Sequence, residues 1–107
     1  MMNHTQVVTA LSALAQPTRL AIYRVLVVAG KNGLAAGQVA ERLQAAPASL
    51  SFHFKKLSHA GLVESTQDGR FIFYAANFDV MNGLVGYLTE NCCGGDLDAC
   101  RIPGNKC

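Results

Sequence analysis

The chain has 107 residues, half of them hydrophobic and 15% charged, with a formal charge of +2. That length is one domain's worth, and so small a unit buries a limited share of its surface alone, so apolar surface covered by a second copy is expected. The longest apolar run, Val25 to Gly30, is far too short to cross a bilayer, and the mild positive charge is compatible with a nucleic-acid partner without arguing for one.

A first helix is expected to start near Asn3. Asn3 with Gln6 three places on has the spacing of a capping box, and Val7, Val8, Leu11 and Leu14 then share a face. Gln16-Pro17 ends it, because the residue before a proline avoids the α region, and Pro17 suits the first turn of a second helix. Leu20, Ile22, Tyr23, Val25, Leu26 and Val27 make that helix apolar on most sides, hence central, until Gly30 and Asn32-Gly33 stop it. A third helix, about Ala36 to Leu43, turns Val39 and Leu43 inward. A fourth, about Pro47 to His59, carries Leu50, Phe54 and Leu57 on one face and ends at Ala60-Gly61.

There the period changes. Leu62 to Thr66 and Phe71 to Ala75 are short runs of strand formers joined by Gln67-Asp68-Gly69-Arg70, and Asp-Gly between such runs is a hairpin signal. Asn77 caps a fifth helix with Asp79 in its first turn, and Met81, Leu84, Val85 and Leu88 form its stripe, with Gly83 and Gly86 leaving room for another helix. From Gly94 the composition turns to Gly, Pro, Asp and Asn, so residues 1–93 form the domain and residues 94–107 a flexible cysteine-containing tail. The fold class is mainly α with a β-hairpin, in the order α-α-α-α-β-β-α.

Two short helices joined tightly and followed by a hairpin describe a winged helix-turn-helix, whose second helix enters the DNA major groove. The outward face of that helix holds Ala48, Ser49, Phe52, Lys55 and Lys56, with Ser51 and His53 at the flanks. Serine hydroxyls can meet phosphates or base edges, lysines neutralise phosphate, and an exposed phenyl ring suits a thymine methyl. Arg70 stands at the hairpin tip. The alternative is an ordinary solvated helix face beside an ordinary turn; order and spacing together favour the DNA reading.

Pro17-Thr18-Arg19-Leu20-Ala21-Ile22, the run from Ser51 to Val63, and Asp68-Gly69-Arg70 followed by Tyr74 resemble the second helix, recognition helix and wing of the ArsR/SmtB family of metal(loid)-responsive repressors. The resemblance runs through residues 17–75. It implies a cytoplasmic, non-enzymatic transcription factor, a homodimer built from the first and last helices, and an inverted-repeat operator in double-stranded DNA.

All four cysteines, Cys92, Cys93, Cys100 and Cys107, lie in the last sixteen positions. A secreted disulfide scaffold spreads its cysteines through the core, and Met-Met-Asn-His-Thr-Gln at the N-terminus has neither the basic nor the apolar region of a secretory leader, so a cytoplasmic chain with reduced thiols is expected. Cys92 and Cys93, read as the end of the last helix, with Cys100 beyond Gly94-Gly95, form a thiol cluster without histidine, which suits a soft ion. For As(III) or Sb(III), three sulfurs in a pyramid complete the site; zinc usually takes four ligands, and the terminal Cys107 is an entropically poor fourth.

Cd(II) or Pb(II) sensing and a thiol-redox repressor switched by disulfide formation stay open on the residues alone, whereas a metal buffer would leave the recognition helix and wing unexplained. A thiol enzyme is disfavoured, since no Cys-x-x-Cys opens a helix. The family resemblance narrows the site further. The stretch Gln44-Ala45-Ala46-Pro47-Ala48 lacks the Cys-x-Cys of one arsenic-sensing type, and the last helix, with Asp79 but no His, lacks the zinc-sensing pattern. What remains resembles the arsenite-sensing type with a C-terminal cysteine site: Cys92, Cys93 and Cys100.

Overall fold

The computed structural model describes residues 2–95. Its elements are α1 (His4–Leu14), α2 (Pro17–Ala29), β1 (Leu34–Ala35), α3 (Ala36–Leu43), α4 (Pro47–His59), β2 (Val63–Asp68), β3 (Phe71–Ala76) and α5 (Phe78–Leu88), followed by a 3₁₀ turn at Cys92–Gly95. The helix starts follow the chemistry expected of them. Asn3 Oδ1 accepts from the Gln6 amide at 2.8 Å while the Asn3 amide donates to Gln6 Oε1 at 2.9 Å, a closed capping box. Gln16 caps α2 through its side chain ahead of Pro17, and Asn77 caps α5.

The helix ends are equally specific. Leu62 N–H reaches Leu57 O and Gly61 N–H reaches Ser58 O, the paired bonds of a Schellman closure on α4. Leu57 and Leu62 are both fully buried, so the closure also carries its hydrophobic contact. The same bond pattern closes α3, from Ala45 N–H to Ala40 O and from Gln44 N–H to Glu41 O, with Gln44 in the left-handed region at φ 54°.

The sheet has three antiparallel strands in the order β1-β3-β2, one more than the sequence predicts. Leu34 pairs with Tyr74 and Ala35 with Phe73. Two residues are too few to show an alternating pattern. The signal was Gly33, expected only to stop α2: a Cβ there would run into the Tyr74 carbonyl, so only glycine lets β1 approach β3. The hairpin is also longer than expected. Gln67 and Asp68 belong to the ladder, with Asp68 opposite Phe71, and the loop is the two residues Gly69-Arg70, where Gly69 takes φ +63°.

Ile22, Leu26, Val39, Leu50, Leu57 and Leu62 are fully buried and join α2, α3, α4 and the start of β2 into one core. Complete burial of each such large aliphatic side chain contributes about 1.5–3 kcal/mol. The end helices bury less than expected. On α1 the buried residues are Val7 and Ala10, whereas Val8 and Leu11 are exposed; on α5 only Leu84 is buried, with Met81 partly so, and Val85 and Leu88 are 42% and 59% exposed. Gly83 is covered by Met2 of the same chain rather than left open for another helix.

Candidate nucleic-acid interface

The candidate interface is built from α3, the turn Gln44–Ala46 and α4. Val39 and Ala40 anchor α3 and Leu50, Phe54 and Leu57 anchor α4, which leaves the opposite side of α4 in solvent. Ala48, Ser49, Ser51, Phe52, Lys55 and Lys56 are all exposed, as their helical spacing requires. Phe54 stacks on Tyr74 of β3 with ring centroids 4.1 Å apart and planes 17° from parallel. That contact fixes the reading helix against the hairpin, so Arg70 at the exposed tip keeps a set relation to the lysines.

The site residues are not equivalent. Ser49 Oγ donates back to Ala46 O at 2.7 Å, so its proton is engaged within the first turn of α4 and its lone pairs face outward as acceptors. Ser51 is exposed. Lys56 Nζ lies 5.3 Å from the centroid of the Phe52 ring, a cation–π contact one helical turn apart. Phe52 is 59% exposed.

His53 is half-buried, in a T-shaped contact with Phe52, centroids 5.8 Å apart, and its Nδ1 is 3.4 Å from Arg19 Nη1. It therefore sits at the flank of the reading face, tied to α2. Sequence reasoning missed two features here. Arg19 was noted only within a motif, although its place three residues after the Gln16 cap was a signal that it opens α2 beside the end of α1. Phe71 and Ile72 are exposed on the wing, at 62% and 46%. Their continuous apolar run gave no hint that β3 extends beyond the short β1, which covers it only at Phe73 and Tyr74.

The thiol region is placed differently from expectation. α5 stops at Leu88, so Cys92 and Cys93 do not end that helix but open the separate turn Cys92–Gly95. Thr89 caps α5 at φ −106°, its amide and hydroxyl both donating to Val85 O at 3.0 and 2.8 Å, and Asn91 then turns left-handed at φ 55°. Cys92 is half-buried and donates its amide to Thr89 O at 3.0 Å. Cys100 and Cys107 lie outside the described residues, as does the tail from residue 96. Among the described residues no three His, Cys, Asp or Glu side chains are arranged to hold a metal ion, and no helix is long and apolar enough to cross a membrane.

A two-helix reading unit with a basic outer face, clamped to a twisted hairpin, defines a winged helix-turn-helix DNA-binding protein. Residues 14–66 match a helix-turn-helix domain family. The chain is 35% identical over 89 residues to the nodulation protein NolR of Rhizobium meliloti, covering 83% of this chain and 70% of that one. It is 30% identical over 87 residues to the transcriptional repressor SdpR of Bacillus subtilis, covering 80% and 92%.

Among solved structures it resembles an ArsR-like transcriptional regulator from Rhodococcus sp. RHA1, with TM-score 0.71 and 28% identity over 90% of this chain and 86% of that one. It also resembles a protein described as a possible transcriptional regulator for arsenical resistance, with TM-score 0.63 and 25% identity over 86% and 97%. The chain belongs to the ArsR-like family of helix-turn-helix transcriptional regulators, whose members act by binding DNA rather than by catalysis.

Proposed function

We propose that this protein is a homodimeric repressor that binds an inverted-repeat operator and releases it when As(III) or Sb(III) engages the thiolates of Cys92, Cys93 and Cys100. The observation that carries the reading is the position of the vicinal thiols. Three residues separate them from α5, the helix whose Val85 and Leu88 lie open to solvent, as do Val8 and Leu11 of α1. Such a face suits a second copy, and a two-fold pair would set two α4 helices into successive major grooves about 34 Å apart. The repressor SdpR and the arsenical-resistance structure add support by their descriptions.

The donor set fits the ion: three thiolates without histidine form a soft site, and an ion with a lone pair completes its shell with three sulfurs. When bound, the ion supplies a covalent-strength tie between thiolates. The rest belongs to the chain. Lys55 and Lys56 neutralise phosphates, Ser51 and Phe52 meet base edges, and Arg70 follows the backbone from the wing. The Cys92–Gly95 turn is held to α5 through Thr89, so drawing Cys100 toward Cys92 displaces the end of α5. A small displacement at a packed two-state interface becomes a changed spacing of the two reading helices.

The test is operator release by arsenite from reduced protein on a labelled duplex. Serine variants of Cys92, Cys93 and Cys100 bind DNA like the parent and ignore arsenite, while Cys107→Ser responds nearly as the parent does. Release by hydrogen peroxide, reversed by dithiothreitol and unaffected by arsenite, points instead to the thiol-redox reading; release by Cd(II) or Pb(II) alone reassigns the ion.

A further inference from the structure

Arg19, the third residue of α2, makes one backbone contact at the start of the helix and two through its guanidinium. Its backbone amide donates to Gln16 Oε1 at 2.8 Å. Its Nε donates to Ala13 O at 2.6 Å, one of the last-turn carbonyls of α1 that have no partner within the helix. The last turn of α1 has no basic residue of its own, so Arg19 supplies from α2 the cation that a helix C-terminus favours. Held in this way, Nη1 reaches to 3.4 Å from Nδ1 of His53 on α4.

A guanidinium has donors and no acceptor. An attractive contact with Nδ1 therefore requires a lone pair on that nitrogen, and a neutral imidazole with its lone pair on Nδ1 carries its proton on Nε2. We propose that Arg19 is a positioning residue for DNA reading: it holds His53 in the Nε2–H tautomer, so that α4 carries a fixed hydrogen-bond donor at the flank of its reading face. Without Arg19 a half-buried imidazole is free to exchange tautomers and present a lone pair or a proton at Nε2. With it, only a DNA acceptor, a phosphate oxygen or a purine N7, is matched. The same guanidinium grips the end of α1, so orientation of the ring and the seating of α1 are joined through one side chain. This inference rests on α4 being the DNA-reading helix.

The tautomer is read directly by long-range ¹⁵N–¹H correlation on the reduced full-length protein at about pH 8, where an ordinary imidazole is neutral. The parent shows the His53 proton on Nε2. In Arg19→Met the His53 signals move to those of a mixed tautomer, while those of His59 stay unchanged. The DNA probe is a duplex selected from a random-sequence pool by the parent protein. On it, Arg19→Met and His53→Ala each lose about tenfold in affinity, the worth of one charge-assisted hydrogen bond. The double variant is no worse than His53→Ala, and His53→Gln, whose amide N–H takes the place of Nε2–H, recovers most of the loss. Should Arg19→Met fail to fold, Arg19→Lys, which keeps the charge but not the fork, takes its place, and the parent tautomer stands as a test by itself.

A proton on Nδ1 in the parent, or an Arg19 variant with unchanged tautomer and affinity, overturns the proposal. His53→Ala binding like the parent while Lys56→Ala binds more weakly also overturns it, with the interface intact. Unchanged binding in Lys56→Ala and Ser51→Ala as well means that the reading of α4 has itself failed.

Discussion

The reading unit and the α1–α5 end of this molecule solve the burial problem in different ways. From α2 to β3 the chain builds one sealed core: Ile22, Leu26, Val39, Leu50, Leu57 and Leu62 are buried, α3 and α4 are closed by paired backbone bonds, and the Phe54–Tyr74 stack locks helix to hairpin, while Leu20, Val28, Phe52, Phe71 and Ile72 stay exposed on its surface. At the other end, α1 and α5 each carry an apolar stripe only partly used, with Val8, Leu11, Val85 and Leu88 in solvent. The polar tie between these two helices, His4 Nδ1 to Tyr87 OH at 3.1 Å, is itself exposed. A unit that must present a fixed surface to DNA is rigid by construction, whereas the end that would pair with a second copy, and that lies next to Cys92, keeps its binding energy in reserve.

The largest effect expected from breaking the contrast is on the closed side. Phe54→Ala removes a buried ring and its stack on Tyr74, and is expected to lower stability by about 3–5 kcal/mol, read by urea unfolding. A loss under 1 kcal/mol would mean that helix and wing are not locked through this pair. On the open side the expectation is reversed: Val85→Asp combined with Leu88→Asp leaves the protomer's helix content intact but dissociates the proposed dimer, weakening association by about a hundredfold or more. Sedimentation at matched concentrations decides, and a variant as dimeric as the parent removes α5 from the interface. Leu84 would be the wrong choice for this test, because it is buried within the protomer and its replacement would unfold the chain.

Smaller effects sharpen the picture of the reading unit. Lys56→Ala is expected to weaken operator binding at low salt and to flatten the salt dependence by about one unit of slope; an unchanged slope would place Lys56 away from the phosphates. Tyr23→Phe is expected to gain stability, by about 1 kcal/mol, because the buried Tyr23 hydroxyl has no hydrogen-bond partner among the described residues.

Burial pushes the Tyr23 phenol above its ordinary value of 10.0. The folded state therefore favours the protonated phenol, and this contribution is complete below pH 10.0 and is lost as the pH rises from there through the raised value. The phenylalanine variant loses correspondingly less stability in that alkaline window, which parallel melts at increasing pH would detect. Smallest is Gln44→Gly. It relieves a side chain at φ 54° in the turn between α3 and α4 and is expected to gain about 0.5–1 kcal/mol, read by urea unfolding.

What the sequence by itself determined is local. Asn3 and Asn77 cap α1 and α5, and Pro47 with the Leu50-Phe54-Leu57 spacing sets α4 at Pro47–His59 as expected from the residues, because caps and the 3.6-residue period act within a turn or two. The exposed faces of Ser51, Phe52, Lys55 and Lys56 followed from the same period.

Tertiary structure decided what depends on residues distant in the chain. β1 exists because Gly33 lets its strand meet Tyr74, forty-one positions later. His53 is held by an arginine thirty-four positions earlier, and Val8, Leu11, Val85 and Leu88 stay open although their spacing is that of a core stripe. Periodicity reports that a face is apolar; whether the protomer or a second copy covers it depends on where the other helices end. Here α5 stops at Leu88, short of the cysteines, where the backbone leaves helical geometry at Thr89 (φ −106°, ψ 5°) and turns left-handed at Asn91 (φ 55°).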